Sequence, residues 1–404
     1  MFDVIRDRIS SRMSSQDPLV VALDDSLLHK RGRKIPGVSY RRDPLGPPFS
    51  VNFVRAQRVL QLSAAYDCAG GRARMIPIDF AHAPTAIRPR KAAPIEQWQH
   101  YKEEQKRFNL SLQAKQRVTL LREKLNNSQA PQRPLWLVVD GGYTNAKMLK
   151  NLPANTMLTG RIRHDAKLYY LPQNASLLGR RKVYGEPAPT PEQLLKDESV
   201  PWQTVKVFAV DKYHDFKIKT LAPLRWRSAG AGHDLRLIVI APLAYRPSKN
   251  SKLRYRKPAY LICTGPTAPI EKILQAYVWR WDIEVNFRDE KTLLGVGQAQ
   301  VRNIASVEKV PAAAVAAYAA LLLAGIRAFG NDQIPDDLPY PKWQSPSKKK
   351  RASTMDYLRL LRRELWAKAI RHCNFSSFVN SNHTDTKPQK LQLNLSSALF
   401  YATG

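Results

Sequence analysis

The sequence predicts an α/β fold, a mixed sheet interrupted by a β-rich insertion and followed by a helical tail, and three observations predict it. Two apolar runs, PLVVALDDS (residues 18–26) and PLWLVVDGGYTN (134–145), have the two-faced burial of central strands, and each leads into aspartate. From about residue 161 to 266 the texture changes to short β-rich pieces such as TVKVFAVDKY and DLRLIVIAPL, punctuated by Pro, Gly and Ser. The remaining periodic stretches read as helices.

In chain order, residues 1–160 supply the first part of the core. PFSVNFVRAQRVLQLSAAY and ARMIPIDFAHAP continue the sheet after the first run, and residues 95–127, poor in Gly and Pro, read as one long helical stretch. Residues 161–266 are the insertion, and 267–330 return to the core with the helix around Tyr277 and an alanine-rich helix. Residues 331–404 are a Pro-, Ser- and Lys-rich linker and a basic tail carrying the helix TMDYLRLLRRELWAKAIRH. The apolar run AAAVAAYAALLLAGI (312–326) is too short for a membrane span and reads as a buried helix.

Composition narrows the function. Of 404 residues, 65 are Lys or Arg and 33 Asp or Glu, a formal charge of +32, and 44% hydrophobic content belongs to a protein with real cores. Self-repulsion of that size points to a polyanionic partner, nucleic acid first. Cys68, Cys263 and Cys373 lie far apart without a CxxC pair, which argues against a zinc site or a disulfide framework and fits a reducing cytoplasm. The N-terminus lacks the apolar segment of a signal peptide.

The stretch YVWRWDIEVNFRDEK (277–291) concentrates charge beside aromatic surface. On a uniform helix Tyr277, Arg280, Glu284 and Lys291 share a sector about 60° wide, with Trp279, Ile283 and Phe287 on an adjoining apolar flank. A solvated ladder of ion pairs explains such a face equally well when it is taken alone.

The spacing Tyr-x2-Arg-x3-Glu-x6-Lys, together with the aspartates of ALDDSLLHKRGRKIPGVSY and LVVDGGYTNAKML, resembles the catalytic blocks of bacterial insertion-sequence transposases of the DDE class. That group, cut-and-paste and hairpin-forming, carries a Tyr-Arg-Glu-Lys signature. GRRKVYGEPAPTPEQLL inside the insertion resembles it too, and the likeness runs from about residue 19 to 303. It implies an RNase H-like core in which Asp24, Asp140 and Glu284 are catalytic and hold two Mg²⁺ ions, with Mn²⁺ as a substitute. Carboxylates suit a hard cation, and two ions about 4 Å apart clamp the attacking and leaving oxygens. Asp25 is the alternate for Asp24; Asp24 is preferred because strand alternation puts it on one face with Ser26.

By the same likeness Tyr277, Arg280 and Lys291, and Arg288 with them, contact DNA. The partners implied are the element's terminal inverted repeats and target DNA, bound by a homodimer, with no membrane, in a bacterial cytoplasm at the nucleoid. Trp279 and Trp281 read as packing residues, and Trp202 or Trp226 as a wall for a flipped base. KRGRK (30–34), RRK (180–182), KLRYRK (252–257) and KKKR (348–351) are further basic runs. Family members place a helical DNA-binding region ahead of the first aspartate, whereas Asp24 stands near residue 1. The alternative is therefore a shortened, non-mobile relative that binds terminal repeats as a regulator.

Overall fold

The computed structural model describes residues 1–43, 46–47, 49–68, 71–150, 152–173, 182–210, 212–248, 250–330 and 351–372. Cys373, Arg180 and Arg181, Lys348 to Lys350, residues 331–350 of the expected linker and the tail beyond residue 372 lie outside them. The chain divides into two compact units, Met1–Ala319 and Ala320–Gly404.

The first unit begins with α1 (Phe2–Ser10), β1 (Leu19–His29), β2 (Ser39–Arg42), β3 (Phe53–Cys68) and β4 (Arg72–His82). Helices α2 (Ile95–Arg107) and α3 (Leu110–Asn126) lead to β5 (Leu135–Val139), α4 (Ala146–Leu149) and β6 (Thr156–Arg161). The β-rich segment holds β7 (Leu168–Tyr170), α5 (Pro191–Lys196), β8 (Gln203–Ala209), β9 (Lys212–Trp226), β10 (Gly230–Ile240), β11 (Ala244–Tyr245), β12 (Arg254–Tyr255) and β13 (Ala259–Cys263). Helices α6 (Ile270–Trp279), α7 (Asp282–Thr292) and α8 (Ile304–Phe329) follow, and α9 (Thr354–His372) belongs to the second unit.

Sheet order through β4, β3, β1, β5 and β6 is antiparallel over the first three strands and parallel over the last three, which is the RNase H-like core. Strands β1 and β5 are central because their residues are apolar on both faces: Leu19 to Leu23 and all of LWLVV are buried. The β-rich segment is antiparallel as expected, yet it does not stand apart. β13 pairs with β6, and β10, β9 and β7 continue the same sheet, to which β8 adds along β9.

Two helix expectations need correction. Residues 95–127 form two helices, because Asn109 caps α3 by accepting from the Leu112 N–H and so starts a new helix after Phe108. Residues 277–291 are likewise divided between α6 and α7. Arg280 and Trp281 keep right-handed helical dihedrals, but the Trp281, Ile283 and Glu284 N–H groups bond three residues back, to Val278, Arg280 and Trp281, at 3.1 to 3.2 Å. This tighter winding makes a joint. Its cause is two docking sites: α6 packs on β8, β4, β5 and β6, and the Trp279 indole donates to the Gly71 carbonyl (2.9 Å), while α7 packs on β4 and β1.

Both helices lie on the sheet face that carries Val20, Ala22, Trp136 and Val138. Alternation puts Asp24, Ser26 and Asp140 on that face as well. Ile283 and Phe287 anchor α7 there, and burying each contributes roughly 1.5–3 kcal/mol, more than any ion pair on the outer side. Helix α8 is 26 residues, longer than the alanine-rich run, and by length and composition alone could cross a membrane. In the first unit its Val315 packs with Leu28, Val59, Phe80 and Val296, and its Tyr318 hydroxyl reaches Asn286. Within the second unit Gly325 lies against the Tyr357 ring, and Asp356 accepts from the Ser353 N–H and hydroxyl at 2.7 Å, capping α9.

Candidate active site

The register of the parallel strands brings two of the expected acids to one height. Leu23 is the last residue of β1 to pair with β5, opposite Val139, so Asp24 and Asp140 follow at one height where the parallel ladder ends, Asp140 just past the carboxyl end of β5, the place where open α/β sheets bind ligands, and Asp24 midway along β1. Beyond β5 the chain turns on Asp140 itself, whose Oδ1 accepts from the N–H groups of Gly142 (2.9 Å) and Tyr143 (3.3 Å). The Thr144 hydroxyl closes onto the Asp140 carbonyl at 2.8 Å. Opposite this turn β6 must carry Gly160, where a Cβ would sit 2.1 Å from Thr144 Oγ1.

The first acid pair divides as strand alternation demands. Asp24 Oδ1 accepts from the Asp25 N–H at 2.8 Å, and its Oδ2 faces Arg280 Nη1 at 3.5 Å. Asp25 turns elsewhere: its Oδ1 accepts from the buried Tyr143 hydroxyl at 2.6 Å and its Oδ2 pairs with Arg58 at 3.2 Å. Burial, then the charge of Asp140, pushes the Asp24 carboxyl up to about 7. Burial also raises Tyr143, with Asp25 next in effect and Asp24 and Asp140 adding to it, so the phenol keeps its proton.

Glu284 enters from α7. Its Oε1 is 3.6 Å from the same Arg280 Nη1 that faces Asp24, so the two carboxylates lie within two ion-pair lengths of each other. Burial raises the Glu284 carboxyl and Asp140 adds to this, while Arg280 opposes it. The Arg280 side chain is only 10% exposed, stacks 5.5 Å from the Tyr277 ring centroid, and leaves its Nε buried without an acceptor.

Lys291 reaches the Asp24 side of the sheet and donates to Ser26 Oγ at 2.6 Å; burial lowers its ammonium. Arg288 lies on the outer face, bonded to its neighbour Asp289 at 2.9 and 3.0 Å and 66% exposed. The structure therefore gathers Asp24, Asp140, Tyr277, Arg280 and Glu284 around one rim, with Lys291 beside it. Trp281, not Trp279, is the exposed tryptophan of the joint. Trp202 is partly exposed and sits under the Lys219 ammonium at 4.6 Å.

Several residues that shape this rim were not singled out by sequence reading. Tyr143 and Arg58 hold Asp25. Lys30, the first residue of KRGRK, is buried and donates to the Gly297 and Ala299 carbonyls at 2.7 Å each, clamping the loop after α7 and not facing solvent. Gly295, at a positive φ of 65°, turns the chain off α7 into that loop. The only signal for Tyr143 was its place in GGYTN; Lys30 stood out in sequence only as part of the basic run KRGRK, and its buried clamp differs from the solvent-facing place such a run suggests.

Among the described residues no group of three or more His, Cys, Asp or Glu side chains is disposed to hold a metal ion. The donor chemistry at the rim nonetheless fits a hard divalent cation: all oxygen, mutually repelling, with the Arg280 guanidinium set between Asp24 and Glu284. Fold and rim together define a nuclease-type protein of the RNase H-like class. A family model for DDE superfamily endonucleases matches residues 3–230, more than half of the chain, and the chain belongs to that family. The match takes in Asp24, Asp25 and Asp140 and ends before Tyr277. Among curated proteins none matches.

Proposed function

We propose that this DDE superfamily endonuclease is a DNA transposase of the insertion-sequence type, which cleaves phosphodiesters at element ends and joins the freed 3′-hydroxyls to target DNA. The observation that carries the reading is the shared rim: Asp24 and Asp140 level on neighbouring parallel strands, with Glu284 meeting Asp24 across Arg280 Nη1. Asp24, Asp140 and Glu284 would hold Mg²⁺, or Mn²⁺ in its place. Bound there, such ions polarise the scissile phosphate and stabilise charge on the attacking and leaving oxygens.

The chain's own cations have a separate task. Arg280 offers a planar fork with one buried donor unused, and Lys291 a point charge fixed by Ser26; both suit phosphate oxygens of the element's end. Tyr277 backs the guanidinium, and exposed Arg288 extends the basic edge. The formal +32 supports DNA as the partner, taken up by a homodimer. A second reading, a relative that binds terminal repeats without cutting them, is favoured by one feature: Arg280 already sits between two of the three acids.

The test is Mg²⁺-dependent nicking of a duplex bearing the inverted repeat that borders the coding region, by the protein and by Asp140→Asn. Nicking by the former alone, with binding by both, is the expected result. Binding by both without cleavage by either establishes the second reading, and no binding by either sinks both.

A further inference from the structure

One acid that the mechanism leaves unused is almost fully buried. Glu290 lies on α7 six residues after Glu284, is 1% exposed, and faces into the protein. The groups around it form a buried polar seam between α7 and the sheet. From β3 come Gln61 and Ser63, from β4 the Met75 carbonyl, from α8 the Tyr318 hydroxyl, and from α7 itself Asn286. The charged groups that act on Glu290 are Lys291 and Asp289 of its own helix, opposite in sign; those of the seam are neutral, and among them the Gln61 side chain hydrogen-bonds the carboxyl and favours its ionised form, an effect that burial outweighs.

Counting donors exposes a deficit. Gln61 Nε2 donates to Ser63 Oγ at 3.2 Å, Asn286 Nδ2 to Ser63 Oγ at 3.2 Å and to the Met75 carbonyl at 3.0 Å, and the Tyr318 hydroxyl to Asn286 Oδ1 at 3.2 Å. Two buried acceptors are left without a donor, Gln61 Oε1 and Glu290 Oε1. An ionised carboxylate adds acceptors only, whereas a neutral carboxyl supplies one O–H. Unmatched acceptors in a buried network are costly. Gln61 is also the cross-strand partner of Asp24, so whatever holds Gln61 holds the strand pair that carries the first acid.

We propose that Glu290 is a positioning residue that works as a neutral carboxyl, its proton closing the seam onto Gln61 and so setting the height at which α7 presents Glu284 to Asp24. Burial pushes the group up to about 8, which agrees with a proton retained at neutral pH. The inference rests on Asp24 and Glu284 being the catalytic acids, but the state of Glu290 can be read without them.

The experiment uses the whole protein and Glu290→Gln, which keeps a neutral group with a donor, beside Glu290→Ala, which does not. Three quantities are followed from about pH 5 to about pH 9: the carboxyl signal that Glu290→Gln removes from the ¹³C spectrum, the melting temperature, and Mg²⁺-dependent nicking. Because the folded group titrates above its ordinary 4.5, the native state holds the extra proton, and stability falls as pH rises from about 4.5 to about 8. Asp24 and Glu284, raised as well, contribute to the same fall, so Glu290→Gln should make the slope shallower, most clearly between about pH 7 and about pH 8 where Asp24 has already titrated. Nicking by the unaltered protein should drop roughly tenfold per pH unit above about 8, in kcat with KM for duplex unchanged, and Glu290→Gln should abolish the drop. Glu290→Ala should nick poorly at every pH. A carboxyl that titrates near its ordinary value, or Glu290→Gln behaving as Glu290→Ala does, overturns the inference. If nothing nicks at any pH the catalytic reading fails, while the carboxyl signal and the melting slope still decide the state of Glu290.

Discussion

Helix α7 carries two glutamates that meet opposite surroundings. Glu284, on the outer rim, keeps 40% of its side chain in solvent and is met by Arg280. Glu290, on the inner seam, is sealed among neutral amides and hydroxyls. Burial raises both carboxyls. What separates them is the company: a guanidinium and water favour the charged form at the rim, whereas in the seam the Gln61 amide and the Lys291 ammonium do so against nearly complete burial, which outweighs them. One helix thus offers a carboxylate on one side and a carboxylic acid on the other, from the same residue type.

Substitutions that act on one face alone sharpen this contrast. Glu284→Gln should cut nicking on the order of a thousandfold, since a metal clamp is worth several kcal/mol of barrier, while calorimetry finds folding stability almost unmoved. A matching loss of stability would mean that the rim is structural and would collapse the comparison. Asn286→Ala should do the reverse. It strips donors from Ser63 Oγ and the Met75 carbonyl and an acceptor from Tyr318, and should cost about 2–3 kcal/mol in urea unfolding with duplex affinity retained where the protein stays folded. Arg280→Gln has the smallest expected effect. Removing the cation between Asp24 and Glu284 should tighten Mn²⁺ binding in the absence of DNA by about tenfold and reduce the salt slope of duplex binding by about one. Weaker Mn²⁺ binding instead would show that Arg280 organises the acids and does not compete for them.

Much of this architecture was legible in the residues. PLVVALDDS and PLWLVVDGGYTN announced central strands because five successive apolar positions leave few other structures; Asp140 lies just past the end of its strand, whereas β1 runs on beyond Asp24 to His29, which the polar residues after Leu23 did not announce. The rim of α7 was legible because the polar residues recur at helical spacing. What escaped was non-local or non-uniform. A wheel turned at a constant angle cannot show the tight joint at Arg280 and Trp281, which arises from two docking surfaces on the sheet. Asn109 was a readable cap inside the long helical stretch and went unread. The partnership of Asp25 with Tyr143 joins residues 118 apart in sequence. Glu290 could have been found: on the same wheel it falls at about 220°, inside the flank of Trp279, Ile283 and Phe287. A lone acid among core residues is the signal.

The continuity of the sheet bears on any attempt to shorten this chain. β13, the strand that returns the chain to α6, is the hydrogen-bonded neighbour of β6. Splicing out the β-rich segment would therefore remove no detachable appendage; it would cut the sheet open along β6. The N–H and C=O groups of that strand, now matched by Leu261 to Cys263, would become a bare template for strands of other molecules. Trimmed relatives made by deletion across this boundary should be recovered as insoluble assemblies, and a smaller soluble nuclease would have to keep β13 in place, with its cut made farther out, among β7 to β9.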